Sequence, residues 1–361
     1  MRIVVKIGTN LITTANGLLD VRRISELARD IVALRGGGHQ AILVTSGAIG
    51  AGMGRMGLKI RPQDLREKQA LAAIGQPLLM NVYQDAFEKL NVPVAQVLLT
   101  RQDFHDRQRY LNARNTLLTL LEMGTLPIIN ENDTVAVDEI KVGDNDTLAA
   151  LVAAKVSAEL LVLLTDVDGL YSGVPGKSDL VRVVEKVTPE VEAYAGRESS
   201  SGKGVGGMQT KLGAAKIATV AGVRMIIANG RRKNILRAAL DGTHGGTEFL
   251  ARSMLDARRC WIAFGSKCRG AIVVDRGAAT ALHARGGSLL PSGVTATEGA
   301  FAVGDTVSIL DPGRREIGRG LAYYSSTDIE KIKGKKTPQV KKIIPGAGYE
   351  EIIHRDNLVL L

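Results

Sequence analysis

The chain has 361 residues, of which 45% are hydrophobic and 4% aromatic, and its formal net charge is +10. This length predicts two domains with aliphatic cores, and no apolar run approaches the ~20 residues that a membrane-spanning helix needs. The start MRIVVKIGTN is typical of a strand rather than of a signal peptide, so we expect a soluble cytoplasmic protein. Cys260 and Cys268 lack metal-binding spacing, and we expect free thiols. The positive charge favours anionic partners, either phosphate-bearing molecules or nucleic acid.

Short apolar runs alternate with longer amphipathic segments through the first two thirds of the chain. The runs are continuously apolar, which is typical of parallel strands that helices cover on both faces. The predicted strands are 3–7, 41–46, 94–100, 126–130, 159–166 and 224–229, and the predicted helices are 21–38, 65–90, 111–124, 146–156 and 208–222. This alternation predicts a three-layer α/β/α sandwich with a mainly parallel sheet.

The pattern changes after about residue 250, where short apolar runs are separated by glycine or proline. WIAFG (261–265) and AIVVD (271–275) are predicted strands, and the spacing of the later runs predicts a small, mainly β module. We therefore predict domains at 1–258 and 269–350. The second contains the lysine-rich segment 331–342, which is either a solubilising surface or a surface for a polyanion.

Two matches to the dinucleotide-binding pattern G-x-G-x-x-G occur, at 52–57 and 202–207. That site requires a strand before the first glycine and a helix that begins at the last. The first match runs into Pro62, which a helix cannot cross easily, and the second follows three serines. We therefore reject both matches, and no Walker-type phosphate loop is present in the sequence.

The segment NENDTVAVDEIKVGDND (130–146) holds six carboxylates and a single cation, Lys141. It lies between two apolar runs, so we expect it to leave a buried strand and enter a helix. Polar loops on rigid scaffolds often carry function. Two alternatives exist: Asp144 or Asn145 caps the helix, which is compatible with a site, or the segment binds calcium. The glycine and glutamate of a calcium-binding EF-hand loop are missing.

Several polar residues follow predicted strands directly. Lys6 ends the first strand, Ser46 follows the second, and Thr165 and Asp166 end a later one. In an open α/β sheet, ligands bind at the carboxyl ends of the strands, and glycine-rich turns there offer backbone N–H groups to phosphate. The sequence therefore predicts an anion site at this edge, which also includes segment 130–146.

Six motifs occur in this order along the chain: KIGTN, VTSGAI, NENDTVA, KVGDND, LLTDVDGLY and GVGGMQTKLGAA. Together they resemble the amino-acid-kinase family. NEND followed by KVGDND resembles the members that phosphorylate glutamate, rather than those acting on acetylglutamate, carbamate, aspartate or uridylate. Segments 275–294 and 301–309 resemble the RNA-associated PUA domain. The resemblance covers nearly the whole chain and implies a kinase fold followed by a PUA-like domain.

The resemblance implies phosphoryl transfer from ATP to the γ-carboxylate of L-glutamate, the first step of proline synthesis. Lys6 and Lys211 match lysines that touch the transferring phosphoryl group, and Asp146 matches the aspartate that orients them. The implied glutamate-binding residues are Ser46, Asp133 and Asn145. The implied nucleotide-binding residues are Lys6, Thr165, Asp166, Val205, Gly206, Gly207, Met208, Gln209, Thr210 and Lys211.

The resemblance also implies partners that the residues themselves do not reveal. These are Mg²⁺ with ATP, proline as a feedback inhibitor, a homo-oligomer, γ-glutamyl phosphate reductase as product acceptor, and RNA at the PUA-like domain. The γ-carboxylate of glutamate, with a pKa near ~4.3, is already ionised at pH 7. The reaction therefore needs neutralised charge and alignment rather than a general base. Asp138 and Glu139 have no assigned role, and we assign no ligand to Mg²⁺.

Overall fold

The computed structural model describes residues 1–14, 17–136, 144–173, 178–197, 205–251, 257–344 and 349–361. The chain forms two compact units. One comprises Met1–Asp103 with Gln108–Met254, and the other comprises Phe104–Arg107 with Leu255–Leu361. The domain limits 1–258 and 269–350 stay a prediction. Within the described ranges, no helix is long and apolar enough to cross a membrane.

The first unit is built on an eight-stranded sheet with the strand order β3-β4-β2-β1-β5-β7-β8-β6. The strands are β1 (Arg2–Ile7), β2 (Gln40–Val44), β3 (Val94–Leu99), β4 (Leu126–Glu131), β5 (Leu160–Thr165), β6 (Val183–Val184), β7 (Arg224–Asn229) and β8 (Thr247–Phe249). All neighbours are parallel except β7 and β8. The predicted strands of this unit are all present, whereas the short β6 and β8 were not predicted.

The helices of this region are α1 (Thr9–Ile12), α2 (Val21–Gly36), α3 (Ala48–Arg55), α4 (Leu65–Glu88), α5 (Gln102–His105), α6 (Arg107–Glu122), α7 (Asp144–Lys155), α8 (Pro189–Arg197), α9 (Val205–Val220) and α10 (Ile235–Leu240). The predicted helices correspond to α2, α4, α6, α7 and α9. Two of them begin at aspartate caps: Asp20 accepts the Arg23 N–H at 2.9 Å, and Asp64 accepts the Arg66 N–H at 2.8 Å.

The two faces of β1 explain the layered arrangement. Ile3, Val5 and Ile7 belong to a core cluster with residues of α2, α3, α4 and α10. Because side chains alternate along a strand, Lys6 lies on the opposite face, where it meets the first turn of α7. The three-layer α/β/α fold is therefore confirmed, and the alternation places Lys6 beneath α7.

Glycines let α3 and α4 touch backbone to backbone. A Cβ on Gly52 would lie 2.0 Å from the Leu71 carbonyl oxygen, and one on Gly75 would lie 1.8 Å from that of Ala48. Gly52 of the first G-x-G-x-x-G match therefore serves helix packing, which agrees with its rejection as a nucleotide motif. Pro77 follows two residues after Gly75 inside α4, where it removes one backbone hydrogen bond.

The second unit contains a five-stranded sheet with the order β10-β9-β11-β12-β13. Its strands are β9 (Gly270–Val274), β10 (Val294–Glu298), β11 (Thr306–Leu310), β12 (Glu316–Leu321) and β13 (Leu358–Leu360), and its helices are α11 (Ala257–Cys260), α12 (Arg276–Arg285), α13 (Ser326–Ile332) and α14 (Thr337–Ile343). Helices α12 to α14 were not predicted. The small, mostly β sheet matches the predicted module.

The predicted strand at 261–265 is wrong, because Trp261–Gly265 forms a π-helical turn that continues α11. The turn closes on itself instead of pairing with a strand: the Ser266 N–H donates to the Trp261 carbonyl at 2.8 Å. The Ala263 carbonyl accepts from Arg319 at 2.9 Å. A five-residue apolar run has the same pattern in a buried strand and in a buried helical turn, so periodicity does not separate them.

Candidate active site

The carboxyl ends of the central strands lie level at one edge of the sheet. Lys6 of β1 pairs in register with Val44 of β2 and with Leu163 of β5. Ser46 lies two residues beyond β2, and Thr165 is the last residue of β5. The predicted convergence of polar residues at this edge is therefore confirmed for the described residues.

Lys6, Asp146 and Lys211 form a buried ionic cluster, called the lysine cluster below. The Lys6 Nζ lies 2.6 Å from Asp146 Oδ1, and the Lys211 Nζ lies 3.1 Å from Asp146 Oδ2. Asp146 is 1% exposed. Thr210 also contributes, with its hydroxyl 3.2 Å from Asp146 Oδ2. The first turn of α7 and the second turn of α9 thus bring Asp146 and Lys211 to the end of β1.

The charges in the lysine cluster shift the pKa values of Asp146 and Lys6. Burial alone raises the pKa of Asp146, but Lys6 and Lys211 outweigh it and keep that pKa below its ordinary value. Burial lowers the pKa of Lys6; Asp146 opposes this shift, and Lys211 reinforces it. Two cations share one carboxylate, so the fully ionised cluster has an excess positive charge. In a poorly hydrated site that charge attracts an anion strongly.

Beside the lysine cluster, side-chain amides form a connected chain, called the amide chain below. The Asn145 Nδ2 donates to Ser46 Oγ at 3.1 Å and to Asn130 Oδ1 at 3.2 Å. The Asn130 Nδ2 donates to Gln76 Oε1 at 2.8 Å. Asn145 precedes Asp146 in α7, so the amide chain and the lysine cluster share one helical turn. Asp133 is also buried, at 9% exposure.

Thr165 and Asp166 lie on the other side of the lysine cluster. The Asp166 carboxylate accepts from Asn10 Nδ2 at 2.9 Å and lies 3.2 Å from the Thr165 hydroxyl. Burial raises the pKa of Asp166, but Asn10, Thr165 and Lys211 outweigh it and lower that pKa below its ordinary value. The interaction with Lys211 connects this side to the lysine cluster.

Some groups near the predicted site are used within the protein itself. The N–H of Gly8, in the glycine turn that follows β1, donates to the Leu164 carbonyl at 3.0 Å. Met208 is 4% exposed and its side chain belongs to the core, whereas Gln209 is exposed. The side chain of Val205 lies outside the described part of the chain, as do Asp138, Glu139 and Lys141. Gly206 has no side chain, and its backbone belongs to α9.

Sequence reasoning missed three residues that the structure connects to the site. Asn130 and Gln76 belong to the amide chain, and Asn10 binds Asp166. Asn10 and Asn130 were visible as polar residues next to strand ends. Gln76 had a weaker signal: it stands between a glycine and a proline in the middle of a helix.

Comparisons with known proteins identify relatives of this chain. The model of the amino acid kinase family matches residues 1–229, and that of the PUA domain matches residues 270–344. Glutamate 5-kinase from Thermoanaerobacter sp. (strain X514) is 51% identical over 100% of this chain and 98% of its own. Glutamate 5-kinase from Moorella thermoacetica is 50% identical over 100% of this chain and 96% of its own. A solved carbamate kinase from Giardia lamblia, bound to AMP-PNP, aligns at 16% identity with a TM-score of 0.49, over 70% of this chain and 98% of its own. The chain therefore belongs to the amino acid kinase family, among its glutamate 5-kinases, and carries a C-terminal PUA domain.

Proposed function

We propose that this protein transfers the γ-phosphoryl group of ATP to the γ-carboxylate of L-glutamate, giving γ-glutamyl phosphate in the first step of proline biosynthesis. The observation that carries the proposal is the buried lysine cluster, which shares a helical turn with the amide chain. The two glutamate 5-kinases named above support the same substrate.

Charge neutralisation is the main demand of this reaction. The nucleophile and the transferring group are both anionic at pH 7, and their repulsion opposes in-line approach. Lys6 and Lys211 lie on either side of one carboxylate, with their ammonium groups 2.6 and 3.1 Å from its oxygens. We assign both lysines to the phosphoryl group, where preorganised cations stabilise the charge that develops in the transition state.

Asp146 has an organising role in this proposal. Both of its oxygens are committed to ammonium groups, and its pKa lies below the ordinary value. A carboxylate of that kind is a poor proton acceptor at neutral pH. We therefore assign it to holding the two lysines at their spacing, and no general base is needed because the substrate carboxylate is already ionised.

The amino acid is assigned to the amide-chain side and the nucleotide to the Asp166 side. Ser46, Asp133 and Asn145 are the proposed glutamate ligands. The proposed nucleotide ligands are Lys6, Thr165, Asp166 and the first turns of α9, including Val205, Gly206, Gly207, Met208, Gln209, Thr210 and Lys211. For Met208 this leaves only its backbone, because the side chain is buried in the core.

Magnesium enters this proposal only as part of the MgATP substrate. Among the described residues, no group of three or more acidic, histidine or cysteine side chains has the geometry of a metal site. The oxygens of Asp146 are both taken by lysines. Mg²⁺ commonly keeps several waters and binds substrate phosphates with few protein ligands, so we assign it none.

Trapping of the acyl phosphate tests the proposal. The wild type is incubated with ATP, Mg²⁺ and hydroxylamine, and the hydroxamate is measured with L-glutamate, L-aspartate or N-acetyl-L-glutamate as acceptor. We expect γ-glutamyl hydroxamate and one ADP per hydroxamate with glutamate. Turnover of aspartate or N-acetylglutamate without turnover of glutamate contradicts the proposed substrate.

Further partners follow from the proposed reaction. Its product is a reactive acyl phosphate, so γ-glutamyl phosphate reductase is the proposed acceptor, and proline is the proposed feedback inhibitor. A homo-oligomer and a cytoplasmic location complete the proposal. Inhibition by proline of the hydroxamate assay, and mass measurement in solution, test the inhibitor and the assembly.

RNA binding by the PUA domain is a second candidate function. The family match at 270–344 and the lysine-rich segment 331–342 favour it. Ion pairs weigh against it: Lys331 lies 3.0 Å from Asp328, and Lys333 lies 2.6 Å from Glu330. Phosphate-dominated binding weakens steeply with salt. Filter binding of a structured RNA at low and high salt checks this candidate, and no retention at low salt rejects it.

A further inference from the structure

The hydrogen bonds of the amide chain have a direction that a backbone group imposes. The Glu131 backbone N–H, which can only donate, reaches Asn130 Oδ1 at 2.9 Å. This identifies Oδ1 as the carbonyl oxygen of the Asn130 amide, so its nitrogen faces Gln76. Gln76 must then present its oxygen, Oε1, to Asn130 Nδ2 at 2.8 Å.

The same direction continues to Asn145. Since Asn130 presents Oδ1, Asn145 must present its nitrogen, and that nitrogen donates to both Asn130 Oδ1 and Ser46 Oγ. Both of its hydrogens are then used. The buried Asn145 Oδ1 accepts no hydrogen bond from any described residue. The only atom that Asn145 has left for a ligand is therefore an acceptor.

Gln76 is held in place by the unusual middle of α4. Gly75, the residue before it, lets the helix approach the Ala48 carbonyl so closely that a Cβ would lie 1.8 Å from that oxygen. Pro77, the residue after it, interrupts the helical hydrogen bonds. Two turns further along α4, Tyr83 makes a second buried bond to a strand end, 2.8 Å from the Thr45 hydroxyl. One face of α4 thus braces the carboxyl edge of the sheet.

We propose that Gln76 is a positioning residue for the amino-acid substrate: through Asn130 it holds Asn145 with Oδ1 free to accept the α-ammonium group of glutamate. This inference deepens the proposed function and rests on it. An amide turned the other way would present N–H groups to an ammonium and repel it. Gln76 itself touches neither the nucleotide nor the lysine cluster in this assignment.

The test is Gln76→Met, which keeps the side-chain length but removes the acceptor. We expect the KM for glutamate to rise by about tenfold, the effect of one weakened hydrogen bond to a charged group. The KM for ATP is expected to stay close to the wild type. The melting temperature is expected to fall by a few degrees, because the buried Asn130 Nδ2 loses its acceptor. Gln84→Met is the matched control, because Gln84 lies exposed on the same helix, and it is expected to change neither KM.

A double-mutant cycle shows whether Gln76 acts through Asn145. In an Asn145→Ala background, adding Gln76→Met is expected to raise the glutamate KM by less than about twofold, because coupled residues are not additive. Full additivity, an unchanged glutamate KM in the single variant, or an equal rise in both KM values overturns the inference.

A second variant decides the matter if Gln76→Met does not fold. Gln76→Glu keeps an acceptor oxygen for Asn130, so its glutamate KM is expected to rise by less than about tenfold. A larger rise overturns the inference. Failure of the proposed function is separately visible, since the wild type then forms no hydroxamate from glutamate.

Discussion

Replacing Asp146 by asparagine removes the carboxylate that holds Lys6 and Lys211, while keeping the shape of the side chain. Asp146 is 1% exposed and lies 2.6 and 3.1 Å from the two ammonium groups. Loss of one partner from a buried ion pair costs about 3–5 kcal/mol of unfolding free energy. For a protein of this size, each kcal/mol lowers the melting temperature by about 2–4 °C. We therefore expect Asp146→Asn to melt roughly 6–20 °C below the wild type.

The same variant separates organisation from nucleotide binding. Both cations remain in Asp146→Asn, so the KM for ATP is expected to change by less than about tenfold, while kcat falls by about 100-fold because the lysines lose their spacing. Asp85→Asn, at an exposed position of α4, is the matched control and is expected to leave both values unchanged. Steady-state ADP release and thermal unfolding measure the effects.

The pH dependence of stability gives a further check on Asp146. Its native pKa lies below the ordinary value of 3.8, so its ionised form contributes stability that is fully present above that value. The contribution is lost as the pH falls through the lower native pKa. The difference in unfolding free energy between wild type and Asp146→Asn should thus be constant from pH 7 to about 5 and shrink in stronger acid. A variant with wild-type kcat and melting temperature at pH 7 refutes the organising role.

Three other changes have defined outcomes. Lys211→Met should lower kcat by about 100-fold or more, since it removes a cation from the transition state; an unchanged kcat in the hydroxamate assay takes Lys211 out of the reaction. Burial, which Asp103 opposes, lowers the pKa of Lys155 to about 7, and the side chain is 0% exposed. The contribution of Lys155 to stability therefore falls as the pH drops from about 10 to 7. Lys155→Met should therefore raise the free energy of unfolding by about 3 kcal/mol more at pH 7 than at pH 9.5. Equal increases at both pH values, measured by chemical denaturation, contradict this. Gly75→Ala should lower the free energy of unfolding by about 1–3 kcal/mol, because the added Cβ would lie 1.8 Å from the Ala48 oxygen. Gly213→Ala, with open space around it in α9, should raise that free energy by about 0.5–1 kcal/mol. Similar melting temperatures for the two variants argue against the close approach of α3 and α4.

The central strands and their polar ends were readable from the sequence. Buried parallel strands give continuous apolar runs, and their carboxyl ends share one edge of the sheet. That rule predicted that Lys6, Ser46 and Thr165 would lie at the same edge, and their strands are in register. Composition and spacing did not assign the lysine pair to Asp146; that assignment came from the resemblance to the family.

Tertiary packing decided the features that were missed. Helix α3 is rich in glycine, a poor helix former, and it packs backbone to backbone against α4 through Gly52 and Gly75. Gln76 looked like an ordinary polar residue of an amphipathic helix, because its partner Asn130 is 54 positions away. At Trp261–Gly265 the apolar run was too short for its periodicity to separate strand from helix.

A crystal structure with L-glutamate and a non-hydrolysable ATP analogue tests the central claim most directly. The account predicts γ-phosphate oxygens within about 3 Å of the ammonium groups of Lys6 and Lys211, with the γ-carboxylate of glutamate in line. It also predicts the α-ammonium group within about 3 Å of Asn145 Oδ1. Glutamate bound with its ammonium group away from Asn145, or phosphates that contact neither lysine, would contradict it.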